Sequence, residues 1–212
     1  MKCPLCSSEA SVPWVEIFAP AARYHRCASC FLVWLDTTFR VSPSVEQARY
    51  SSHENDPLSA EYISYLSRTA LPVVERLSVG AQGLDYGCGP TEGMKALLFP
   101  LGFSIHSYDP FFFYDPSLLK NRYDFVLCSE AAEHFFSPAT EFDRIAKLVR
   151  AGGWLGVSSR LAVDQEKFPQ WWYRRDPTHV CFYSAETVHW IARRWGWRVE
   201  FLEDPIWILQ KE

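Results

Sequence analysis

The chain has 212 residues, enough for one α/β domain with a short appendage and too few for a second full domain. A formal net charge of −4 argues against the broad basic surface that nucleic-acid binding requires. No apolar run is long enough to span a bilayer, and the start Met1-Lys2-Cys3-Pro4 has no signal-peptide form, so a cytoplasmic, reducing setting is expected.

Residues 1–40 carry two Cys-x-x-Cys pairs, Cys3/Cys6 and Cys27/Cys30, with β-prone pieces at Tyr24-His25-Arg26 and Phe31-Leu32-Val33-Trp34. Two such turns can face four thiolates toward one zinc ion, which closes its coordination and leaves no place for a substrate. A structural zinc knuckle is therefore expected, with His25 as a spare ligand. It cannot bury a core alone, and it is expected to serve either the acceptor pocket or a protein partner. Residues 41–57, rich in Ser, Pro, Glu and Asn, read as a linker, or as a lid in which Tyr50 and His53 fold over a site. The domain proper is expected over 58–212. Residues 58–77 have helical apolar spacing, with Ser59 or Asp56 as cap and a kink at Pro72.

From Gly80 onward the pattern alternates between strands and helices. Strands are expected at 83–86, 103–109, 123–128 and 154–158, and helices at 92–98, 139–149 and 184–195. Strands at 198–203 and 206–211 close the chain as an antiparallel hairpin. The expected fold is a Rossmann-like, mainly parallel sheet with helices on both faces.

The turn Gly83-Leu84-Asp85-Tyr86-Gly87-Cys88-Gly89-Pro90-Thr91-Glu92-Gly93 lies between the first of these strands and a helix. Gly87 and Gly89 let a ligand approach the backbone, and Asp109, about twenty residues on at the next strand end, is placed to accept ribose hydroxyls. A dinucleotide fits poorly: Gly93 falls one position late, and Glu92 at the helix start repels a pyrophosphate. S-adenosylmethionine carries no phosphate, and Asp85 with the turn can meet its ammonium.

Leu84-Asp85-Tyr86-Gly87-Cys88-Gly89-Pro90 resembles the first motif of class I S-adenosylmethionine-dependent methyltransferases, and Tyr108-Asp109 their second. Tyr123-Asp124-Phe125-Val126-Leu127-Cys128-Ser129-Glu130 with Glu133-His134-Phe135 is similar to the strand and Glu-His element that follow. Leu148-Val149-Arg150-Ala151-Gly152-Gly153-Trp154 resembles the family's Leu-Lys-Pro-Gly-Gly entry to the next strand. Asp176-Pro177-Thr178-His179-Val180-Cys181-Phe182-Tyr183-Ser184 resembles a late element of one branch. The resemblance implies cofactor contacts from Asp85, Tyr86, Gly87, Gly89, Asp109, Pro110, Phe111, Ser129 and Glu130. There is one departure. Residues 110–122 are too few for the family's helix, strand and helix, so the sheet is expected to lack one edge strand. Phe111-Phe112-Phe113-Tyr114 then either wall the adenine or plug the exposed edge.

Methyl transfer needs alignment, desolvation and, for a hydroxyl acceptor, a base. Glu130, His134 and His179 are the catalytic candidates. His134 is read as a hydrogen-bonded loop residue and His179 as the acceptor-side base, its bland alternative being a structural histidine. Trp171, Trp172 and Tyr173 are expected to wall the acceptor pocket. The acidic balance and aromatic loop favour a small-molecule acceptor. A noncatalytic cofactor-binding or interaction module is the rival reading.

Overall fold

The computed structural model describes residues 1–52, 56–57 and 59–212. His53, the expected lid histidine, and Leu58, the expected domain start, lie outside the described residues. Near the N-terminus β1 (Ser11–Phe18), β2 (Ala21–Cys27) and β3 (Val33–Leu35) form an antiparallel meander. Helices α1 (Pro43–Ser51) and α2 (Ala60–Val74) follow. The expected linker thus contains a helix. Its Ser-Pro composition marks a helix start, with Ser42 at the cap position and Pro43 in the first turn, where a missing N–H costs nothing. Ser59 caps α2 by accepting the Tyr62 N–H at 3.1 Å, and Pro72 lies inside that helix.

The alternating part runs β4 (Gln82–Tyr86), α3 (Gly93–Leu98), β5 (Ser104–Tyr108), β6 (Tyr123–Ser129), α4 (Pro138–Leu148) and β7 (Val149–Ser158). It continues through β8 (Cys181–Phe182), α5 (Ala185–Trp195), β9 (Trp197–Glu203) and β10 (Ile206–Lys211). The main sheet has the order β5-β4-β6-β7-β10-β9. Its first four strands are parallel, and β10 pairs antiparallel with both β7 and β9. Between β5 and β6 there is only a 3-10 turn at Leu118–Lys120, so β5 is an edge and the expected strand is missing. Strand β7 begins five residues earlier than expected, taking in the Gly152-Gly153 entry.

Helix α2 covers one face, packing Leu66 and Val73 on Phe125, Leu127 and Ile208. Helices α4 and α5 cover the other with Phe142, Ile145, Val188 and Ile191. Gly156 permits the close fit of α2: a Cβ there would stand 2.8 Å from Val73.

The cysteine-bearing segment is not a separate layer. Strand β8 extends its meander, pairing Val33 with Phe182 and Trp34 with Cys181, and Leu32, Trp34, Phe168 and Phe182 belong to the same apolar core as α4 and α5. Forty residues bury too little surface alone, and this packing supplies what they lack.

Candidate functional site

Strand β4 delivers the glycine turn beside the end of β5. Gly87 and Gly89 have φ of +80° and +67°, the left-handed region that glycine tolerates best. The Tyr108 carbonyl accepts N–H bonds from Gly87 and Cys88 at 2.8 and 3.2 Å, and Asp109 Oδ2 accepts the Gly89 N–H at 3.0 Å. Asp109 Oδ1 accepts from Phe111 and Phe112 at 2.8 and 3.2 Å. A Cβ on Gly87 would meet that of Ala131 at 2.6 Å, whereas one on Gly89 would meet nothing within 4 Å.

These loops open onto a cavity of about 810 Å³. Tyr86, Gly87, Gly89, Asp109, Pro110, Phe111, Ser129 and Glu130 all line it, so the sequence-derived cofactor residues converge, with one exception. Asp85 lies behind the turn, 3% exposed and off the cavity surface. Burial, reinforced by Asp109, pushes its carboxyl up to about 8. Of the aromatic run, Phe111 faces the cavity, while Phe113 and Tyr114 line a groove at the β5 edge with Ile105 and His106.

The inner end of the cavity holds the three catalytic candidates. Glu130 has φ of +48°, uncommon for a side chain with a Cβ, and is fixed there by its N–H to the Ser158 carbonyl (2.8 Å) and the Ser158 hydroxyl on Oε1 (2.6 Å). His134 Nδ1 bonds the Thr178 carbonyl at 3.0 Å, and His179 Nδ1 bonds the Tyr173 carbonyl at 2.7 Å. Their rings meet edge to face with centroids 4.8 Å apart. Burial depresses the His179 pKa against the opposing pull of Asp176.

Sequence reasoning missed several lining groups. Glu133 is fully buried; its Oε1 accepts the Tyr173 hydroxyl at 2.6 Å, and its Oε2 has no partner. Burial first, then Glu130, pushes its carboxyl well above the usual range. Glu141 and Arg144 also line the cavity, both bonded to the Tyr86 hydroxyl; no motif signalled them. Helix α1 brings Glu46 and Tyr50 to the rim, where Tyr50 packs against His134 and Phe111. Arg49 donates through Nε and Nη2 to Asp176 Oδ2 at 3.0 and 2.9 Å, tying α1 to the loop that carries His179.

The expected aromatic wall is corrected. Trp172 is 61% exposed, Trp171 packs on Phe168 and Phe182, and the Tyr173 ring is buried with its hydroxyl on Glu133; none of the three lines the cavity. Trp171 and Tyr173 serve the core shared with the N-terminal sheet.

The four cysteines come together. Cys3 and Cys30 sulfurs are 3.4 Å apart, those of Cys6 and Cys27 3.5 Å, and all four lie within 4.8 Å of one another as free thiols. The bond from Cys30 lowers the Cys3 thiol to about 6, and burial raises Cys6 to about 12. His25 stands aside, bonded to Asp36 at 3.1 Å.

Fold and cavity together define a Rossmann-like methyltransferase fold lacking one edge strand. The chain belongs to the methyltransferase domain family, whose model matches residues 55–201. A search of the curated proteins matches none of them. Among solved structures, the chain is similar to an O-methyltransferase family protein from Burkholderia thailandensis at 14% identity and a TM-score of 0.53, over 87% of this chain and 65% of that one. It is also similar to the CMeT domain of the citrinin polyketide synthase at 17% identity and a TM-score of 0.50, over 80% and 57%. At such identities the likeness speaks to fold alone. Among the described residues no helix is long and apolar enough to cross a membrane.

Proposed function

We propose that this chain is an S-adenosylmethionine-dependent methyltransferase acting on a small-molecule acceptor in the cytoplasm, with a structural zinc held by Cys3, Cys6, Cys27 and Cys30. One observation carries the reading: a single cavity joins the Gly87–Gly89 turn and Asp109 to Glu130, His134 and His179. The fit to the donor is physical. The space a Cβ on Gly89 would occupy is open, the Ser129 hydroxyl is buried without a partner at the cavity, and among the described lining residues carboxylates outnumber arginines, which suits a sulfonium cation.

The donor supplies an activated methyl on a sulfonium. Asp109 would accept the ribose hydroxyls, Phe111 would stack on the base, and the ammonium would meet the glycine turn, with Asp85 buried behind it. Glu130 and His179, whose pKa burial lowers, are the groups assigned to the acceptor's proton; His134 orients the His179 loop through Thr178. The four sulfurs suit a tetrahedral, closed zinc site, and the surface around them is a candidate face for a protein partner.

Calorimetric titration with S-adenosylhomocysteine and with NAD is the first test. Tight binding of the former alone is expected. Incubation with methyl-labelled donor and an extract of small molecules, followed by product analysis, then identifies the acceptor. Failure to bind S-adenosylhomocysteine defeats the reading; binding without any labelled product favours a noncatalytic module.

A further inference from the structure

We propose that Glu133, His134 and His179 bind one divalent transition-metal ion at the inner end of the cavity. One potential ligand atom from each lies within 4.8 Å of the others, and a shared ion would need roughly 1 Å of closure to reach ligand distances near 2.1 Å. Glu133 supplies the second, independent observation. It is fully buried at the cavity, and its Oε2 has no hydrogen-bond partner, a costly arrangement that a cation resolves.

The surrounding contacts have the form of a metal site's outer shell. Each histidine is anchored through Nδ1 to a backbone carbonyl, Thr178 for His134 and Tyr173 for His179, which orients the ring and assigns the lone pair to Nε2. The Tyr173 hydroxyl fixes Glu133 through its other oxygen. Two imidazoles and one carboxylate favour manganese, iron, cobalt or zinc over magnesium or calcium. Unlike the four-thiolate cluster, three ligands leave positions open, so the site would take an acceptor that presents an oxygen donor, such as a hydroxyl or enol. This rests on the reading of the inner end as the acceptor side, and leaves Glu130 as the proton acceptor when His179 ligates.

Co²⁺ titration of the full chain with its zinc retained, followed by visible absorption, tests the site without any methyl transfer. One equivalent beyond the zinc is expected, giving d–d bands without thiolate charge-transfer absorption. Its affinity should fall at least tenfold in Glu133→Gln and in His179→Ala. S-adenosylhomocysteine affinity in each variant checks that the cavity survives, and His134→Gln replaces Glu133→Gln should the latter not fold. No cobalt beyond the cysteine cluster, or binding unchanged in these variants, overturns the site. Cobalt binding in a parent that does not bind S-adenosylhomocysteine keeps the site and rejects the methyl-donor reading.

Discussion

The Asp109 carboxylate accepts the backbone N–H of Gly89 at 3.0 Å, so the residue proposed to hold a ribose also joins the glycine turn to the end of β5. Asp109→Ala removes charge-assisted bonds worth about 1.5–3 kcal/mol each. S-adenosylhomocysteine affinity should therefore fall roughly tenfold or more by calorimetry. Parent-like affinity would show that the carboxylate does not contact the ligand. Gly87→Val should do at least as much harm, since its Cβ would stand 2.6 Å from Ala131 at a φ of +80°.

The Arg49–Asp176 pair ties α1 across the cavity rim. Arg49 is partly exposed, so the pair contributes about 0.5–1 kcal/mol. Arg49→Ala should raise the S-adenosylhomocysteine dissociation rate two- to fivefold in stopped flow, with the denaturation midpoint nearly unchanged. An unaltered rate would mean that α1 does not cover the ligand.

Freshly prepared, reduced protein should contain about one zinc per chain by metal analysis. Because β8 completes the N-terminal sheet, chelation should speed hydrogen exchange in β1 to β3 and also in β8, while β4 and β6 stay protected. Protein without zinc refutes the assignment, and exchange confined to the first forty residues would refute the coupling to β8.

Asp85 sets a pH dependence. Its folded pKa of about 8 lies above the ordinary 3.8, so between these values the folded state holds a proton that the unfolded state releases. Its contribution to stability is greatest below pH 4, declines as pH rises to about 8, and is flat beyond. Asp85→Asn removes this decline and should stabilise the protein by about 1–3 kcal/mol at pH 8 relative to the same comparison at pH 4. Urea unfolding of both proteins at the two pH values measures this difference; a gap independent of pH would place the Asp85 pKa near its ordinary value.

The parallel core was legible because its signals are local. Short apolar runs mark β4 and β6, and thirteen residues between Asp109 and Tyr123 cannot hold a crossover helix and a strand. The glycine turn and Asp109 were legible for the same reason, since spacing alone brings adjacent parallel strand ends together. Helix α1 was hidden by a composition that serves turns and helix starts alike.

What the sequence by itself determined, then, is the order of strands and helices, the missing edge, the meeting of the glycine turn with Asp109 and the pairing of the four cysteines, each set by neighbours within a few positions or one strand pairing. Only the tertiary structure decided which aromatic rings face the cavity. Trp171 and Tyr173 turn inward because the N-terminal sheet, remote in sequence, needs a core to bury its own apolar face. Only it, too, brought Glu133 beside His179 and left one carboxylate oxygen unpaired, because that meeting depends on a loop forty-six residues further along the chain folding back over β6. Residue type and spacing report local geometry; the direction of a buried side chain is set by what packs against it.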